Sequence, residues 1–219
     1  MSLARRLSLL SWAEAERAWI VEDDYDSEFQ YEGRPLAALQ GLDRGDRTIY
    51  IGTCNKVLFP GIRLAYLVVP PGLADAFAAG RRLLDGFSSP LTQLALAEFM
   101  ARGHFATHLR QARAVYAARR DLLLREITRG WGDAVRLGPS ATGLHLVALL
   151  PDGSDDRRVA RSAPAGGMAV APLSEYYRGG PGRPGLLLSF GSAVPDRIRR
   201  TVAALAPLLR RKSGTIQPL

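Results

Sequence analysis

The sequence predicts an α/β fold for its first half and an α+β fold for its second. Three observations carry this. Short apolar runs end in polar or acidic residues, as at 18–23 and 48–53. Such runs alternate with stretches of helical period. One long stretch, 104–129, contains neither Gly nor Pro and divides the two halves. The boundary is placed in or near it: a partial large domain over 1–103, then a linking helix and a small domain over 104–219.

The elements follow in order. Residues 3–17 have Leu3, Leu7, Leu10 and Ala13 or Glu14 at helical spacing and predict an amphipathic helix. AWIVED, 18–23, predicts a buried strand of parallel type, with functional groups at its carboxyl end. The polar, Gly- and Pro-punctuated run after it predicts a long loop. TIYIGT, 48–53, is a second buried strand, and RLAYLVVP, 63–70, a third, stopped by Pro70-Pro71. Helices are expected over 71–86, 91–102 and 104–129. Strands are expected at 134–139, 143–151, 167–173 and 186–191, and a short helix at 154–163. A Gly/Pro-rich loop covers 176–185. A closing helix, 195–211, precedes a polar tail.

Composition excludes several classes. Hydrophobic residues make up 47% and charged residues 23%, which is globular rather than disordered. No apolar run is long enough to span a membrane. The N-terminus lacks the apolar core and cleavage site of a signal peptide, so a cytoplasmic location is expected. The single cysteine, Cys54, excludes an internal disulfide and a cysteine-based zinc cage. The net charge is +8, but the arginine pairs are scattered along the chain, which argues against nucleic-acid binding by this chain itself. Of 29 basic residues only Lys56 and Lys212 are lysine, and Lys212 lies in the tail. A lysine kept in an arginine-biased chain needs a reason. An amine can lose its proton and act as a nucleophile, and a guanidinium cannot.

Three segments fall at strand carboxyl ends or in the connections between strands: Glu22-Asp23-Asp24-Tyr25, Gly52-Thr53-Cys54-Asn55-Lys56 and Pro60-Gly61-Ile62-Arg63. Ligands of open α/β sheets bind at such ends. Singly, each segment has a plain reading as a cap, a surface charge or an ion pair. Together they supply the parts of a pyridoxal phosphate (PLP) site: an amine, a strand-end carboxylate, a phenol, a hydroxyl and a guanidinium.

The runs EDDYDSEF and GT-x-x-K-x-L-x-P-x-x-R resemble the aminotransferase-like domain of the MocR/GabR branch of GntR-family bacterial transcription regulators. Thr92-Gln93, the segment AEFMARGHFATHLR and the helix through Arg120-Asp121 extend the resemblance over nearly the whole chain, more loosely after about residue 130. It implies the C-terminal part of a fold-type-I PLP-dependent aminotransferase-like domain, with an incomplete large domain and an α+β small domain. It also implies a homodimer and an amino-acid or amine effector or substrate. DNA would be bound only through a winged helix outside this sequence. Carried over residue by residue, Lys56 resembles the Schiff-base lysine and Asp23 the partner of the pyridine nitrogen. Tyr25 resembles the partner of the 3-oxygen, Thr53 the phosphate-binding hydroxyl and Arg63 the phosphate-pairing arginine. No metal is implied.

Three departures stand out. Cys54-Asn55 replace the usual Phe-Ser before the lysine. At 219 residues the chain is far shorter than a full domain of this kind. The resemblance therefore places the winged helix, a phosphate-binding Gly/Ser loop and the ring-stacking aromatic outside it. The expected cost is exposed sheet edges and apolar faces, hence self-association or poor solubility. Lastly, the segment resembling R-L-S-F reads Leu187-Leu188-Ser189-Phe190, with Leu in place of the carboxylate-binding Arg; Arg178 and Arg183 are the nearby cations.

Three functions remain open: an effector-sensing PLP domain, an aminotransferase with Lys56 as general acid/base, and an inactive fragment of either. The EDDYDSEF run and Leu187 favour the first over the second. His104 and His108 have the spacing of a two-His metal face, but no Glu or third ligand accompanies them. They read as structural. Cys54 reads as a buried small hydrophobe, with a low-pKa thiol beside Lys56 as the alternative.

Overall fold

The computed structural model describes residues 1–33, 36–84, 86–180 and 182–209. The end of the predicted closing helix and the tail with Lys212 lie outside them. The chain forms two compact units. One comprises Met1–Glu28 and Gly33–Arg110; the other comprises Phe29–Glu32 and Gln111 onward.

The first unit opens with α1, Leu3–Ala15, capped by Ser2, whose hydroxyl accepts from the Arg5 amide. Its covered face matches the predicted one only in part: Leu10 and Ala13 are covered, Leu3 and Leu7 are exposed, and Arg6 and Leu9 are covered as well. Arg6 is half-buried because it pairs with Glu22 at 3.3 Å and donates to the Ala37 carbonyl at 3.0 Å. Strand β1, Ile20–Asp24, pairs in parallel with β2, Thr48–Thr53, and β2 pairs antiparallel with β3, Ala65–Val68. The sheet order is β1-β2-β3.

A short helix, α2, Leu39–Leu42, stands where only loop is predicted. Its first amides, at Leu39 and Gln40, are satisfied by the Glu22 carboxylate, at 2.9 and 3.1 Å. Ala13, Ile20 and Leu39 form the small core beneath it. The parallel pairing of β1 is as predicted, but its burial is one-sided: Ile20 is buried, whereas Val21 is 60% exposed. All four residues of β3 are exposed too. Helices α3, Ala74–Leu84, α4, Pro90–Ala101, and α5, His104–Gly130, follow at the predicted places. Leu91 and Leu94 of α4 are largely exposed, although this helix is apolar nearly all round.

The second unit holds the larger core. Its four-stranded antiparallel sheet has the order β4-β5-β7-β6, with β4 Arg136–Leu137, β5 His145–Leu149, β6 Ala169–Pro172 and β7 Gly185–Ser189. β4 is much shorter than predicted. Leu146, Leu186, Leu188 and Phe190 pack against Leu123, Ile127 and Trp131 and against Ile198, Val202 and Leu205 of α7, Pro195–Leu209. Each such aliphatic side chain contributes about 1.5–3 kcal/mol. The Trp131 indole donates to the Val202 carbonyl at 2.8 Å. The short helix α6, Asp156–Arg161, begins at a carboxylate only 3% exposed. Asp156 accepts from the Ser174 amide (2.9 Å), the Ser174 hydroxyl (2.7 Å) and the Gly185 amide (3.0 Å).

Phe29–Glu32 completes this unit although its sequence neighbours belong to the other. The Phe29 carbonyl accepts from Gly143, the Tyr31 amide donates to Ala141, and the Tyr31 hydroxyl donates to the Gly143 carbonyl, each at 2.8 Å. Phe29 is fully buried edge-on to Tyr116, with ring centroids 4.8 Å apart. Arg120, 8% exposed, lies over Tyr31, pairs with Glu32 and Asp121 at 2.9 Å and donates to the Ser140 carbonyl.

Candidate functional site

The first unit gathers all five predicted site residues at one end of its sheet. Strand alternation sorts the acids of β1 between its faces. Glu22 caps α2, and Asp24 accepts from the Tyr50 hydroxyl at 2.9 Å and from the Ser27 amide at 3.1 Å. Both belong to the covered face. Asp23 lies on the other face and is exposed. It is in register with Ile51, so Thr53, two residues on, shares its face. Tyr25 follows the strand end and is 39% exposed.

Thr53 ends β2 and shapes the turn that carries Lys56. Its hydroxyl accepts from the Asn55 amide at 3.2 Å and faces the Leu64 carbonyl at 3.4 Å. Cys54 donates its amide to the Leu64 carbonyl at 3.0 Å, and Leu58 donates to the Cys54 carbonyl at 2.9 Å. Cys54 and Val57 are buried, and Lys56 between them is exposed. The turn thus inserts two apolar side chains and presents the amine.

Arg63 reaches this end because β3 runs antiparallel to β2. Thr53 is in register with Ala65, two residues beyond Arg63. Arg63 is exposed and has left-handed backbone angles, φ 51° and ψ 37°. A non-glycine residue in this region costs on the order of 1 kcal/mol, and such strain clusters at functional positions. Gly52 also has a local requirement, since a Cβ there would meet the Tyr66 ring at 2.3 Å.

The donor set suits PLP. An exposed amine and an exposed guanidinium answer its aldehyde and phosphate, and a carboxylate and a phenol answer its ring nitrogen and 3-oxygen. Bound there, the cofactor would act as an electron sink. The chain's own residues would hold it: Asp23 the protonated nitrogen, Tyr25 the ring oxygen, and Thr53 and Arg63 the phosphate.

Electrostatics decides between the two readings of Cys54. Burial first, and the charge of Glu28 second, push its thiol up from its ordinary value. Cys54 is therefore expected to react with iodoacetamide at neutral pH far more slowly in the folded protein than after denaturation. Equal rates in the two states would contradict this assignment. Burial, and then the hydrogen bond to Asp24, likewise push the Tyr50 phenol up.

Among the described residues no group of three or more His, Cys, Asp and Glu is placed to hold a metal. No helix among them is long and apolar enough to cross a membrane. Leu187 is half-buried on the sheet face opposite the core, paired with Val147 and Ala171. Arg178 is exposed and Arg183 half-buried in the preceding loop. Sequence reasoning read His108 as structural but did not place it near Lys56, where it touches the lysine turn.

The fold defines the class: this chain has the fold-type-I aminotransferase-like architecture. It superposes on the kynurenine aminotransferase of Pyrococcus horikoshii with a TM-score of 0.87 and 27% identity, over 97% of this chain and 53% of that one. Within that class its sequence is similar over nearly its whole length to bacterial transcription regulators. It is 39% identical over 218 residues to the probable rhizopine catabolism regulatory protein MocR of Rhizobium meliloti, covering 99% of this chain and 44% of that protein. It is 36% identical over 202 residues to the pyridoxine biosynthesis transcriptional regulator PdxR of Corynebacterium glutamicum, covering 92% and 44%. The chain thus spans about half the length of the relatives it matches. No family model matches it.

Proposed function

We propose that this chain is the PLP-binding, effector-sensing part of a MocR-type transcription regulator. The observation that carries the reading is the gathering of Lys56, Asp23, Tyr25, Thr53 and Arg63 at one sheet end, in a chain whose relatives include such regulators. Lys56 holds the cofactor, and an amino acid or amine competes for it. DNA is read by a winged helix supplied from outside this sequence. The working form is a cytoplasmic homodimer, a reading supported by the exposed apolar surface of α4 and β3.

The second reading is an aminotransferase, favoured by the likeness to the Pyrococcus enzyme. Leu187 weighs against it, because an aliphatic side chain cannot pair with a substrate carboxylate.

Spectroscopy separates the two. Adding PLP to the full natural polypeptide should produce the visible absorbance of a lysine-bound cofactor. Amino compounds should then shift that band without net turnover in the presence of a 2-oxo acid. Steady turnover would establish the enzyme instead. Absence of the band would remove the cofactor from both readings.

A further inference from the structure

His108 lies half-buried on α5, with its Nε2 2.7 Å from the backbone oxygen of Val57. Val57 follows Lys56 directly and is only 2% exposed. A carbonyl can only accept, so this contact requires a proton on Nε2. The neutral ring is thereby held as the Nε2–H tautomer. A protonated ring donates there as well, so the bond survives a change of charge on the imidazole.

The bond meets its counterpart on the same peptide group. The Val57 carbonyl and the Leu58 amide belong to one planar unit. His108 holds the oxygen end, and the Cys54 carbonyl holds the N–H end at 2.9 Å. Rotation of that plane must break both. The bonds of Cys54, Asn55 and Leu58 all lie within the segment 53–64 and move with it. The bond from His108 comes from a residue 51 positions away in sequence and ties the turn to a separate element, α5.

We propose that His108 is a positioning residue for Lys56. It fixes the backbone from which the amine projects, and so the direction in which a long, exposed and flexible side chain leaves the turn. The inference rests on the reading of Lys56 as the residue that takes PLP.

Two variants of the full natural polypeptide test it. His108→Phe keeps a ring and loses the donor. His108→Gln places an amide N–H where Nε2 stands. Amide exchange requires no cofactor. His108→Phe should raise exchange over residues 54–62 roughly five- to tenfold, as expected for the loss of one hydrogen bond, and leave β2 unchanged. His108→Gln should restore most of the protection. Borohydride reduction followed by peptide mass analysis should show PLP attaching to Lys56 more slowly in the Phe variant by a similar factor, with recovery in the Gln variant.

Wild-type exchange over the turn in His108→Phe would overturn the proposal. So would equal losses in both variants spread over the whole first unit, since that is a packing defect. An unlabelled Lys56 in the wild type would sink the cofactor reading, and the exchange measurement would still decide whether His108 fixes the turn.

Discussion

Lys56→Arg is expected to reduce covalent attachment of PLP to background while leaving the fold intact. The side chain is exposed, so the substitution removes no core contact. Charge is preserved, and any loss must come from chemistry. A guanidinium stays protonated at every accessible pH and offers no amine lone pair to an aldehyde. Reduction with borohydride and mass analysis of the peptides measures the effect directly. Lys212 is the other lysine of the sequence and serves as an internal control for nonspecific labelling. Site-specific labelling that persists in Lys56→Arg would remove Lys56 from the site.

Asp156→Ala should produce a large loss of stability in the second unit. The carboxylate is buried and accepts from two backbone amides and a hydroxyl, tying α6 to the residues before β7. Truncation leaves these donors without a partner, and the Gly185 amide has little access to water. Each buried unsatisfied group costs about 1–3 kcal/mol, which sets the expected loss at about 3 kcal/mol. Asp156→Asn keeps an acceptor oxygen and should lose about half as much. Urea titration should show a lower midpoint for the Ala variant at unchanged slope. A loss below about 0.5 kcal/mol, the range of ordinary surface substitutions, would show that the donors find other partners.

The order of elements was legible in the sequence because apolar period and Gly/Pro punctuation are local signals. TIYIGT had both and forms a strand over the predicted residues. α2 was not legible. Its four residues, LQGL, have weak helical character, and its amides are satisfied by Glu22, far back in the chain. No window around α2 contains that information. Burial was also misjudged. Val21 and Leu67 have strand-core composition, yet both stand exposed on the sheet. Apolar character records what a face is suited to touch, not what lies against it among the described residues. The five residues proposed for the site come from the sequence motif and its resemblance, and their placement at one end of the sheet follows from strand register. The His108 contact depends on tertiary packing and left no such trace.

The Phe29–Glu32 segment bears on how this protein can be made and cut. The chain enters the second unit with these four residues, leaves it, and returns for good at Gln111. A recombinant piece starting at Gln111 would therefore be missing a ring from its own interior, the one that meets Tyr116, and the acid that pairs with Arg120. The same arrangement governs the order of events at the ribosome. Phe29 emerges long before Tyr116 and Arg120 and must wait for them, so the second unit closes late. A split into two separately produced halves would succeed only if the four residues were supplied in trans or grafted ahead of Gln111.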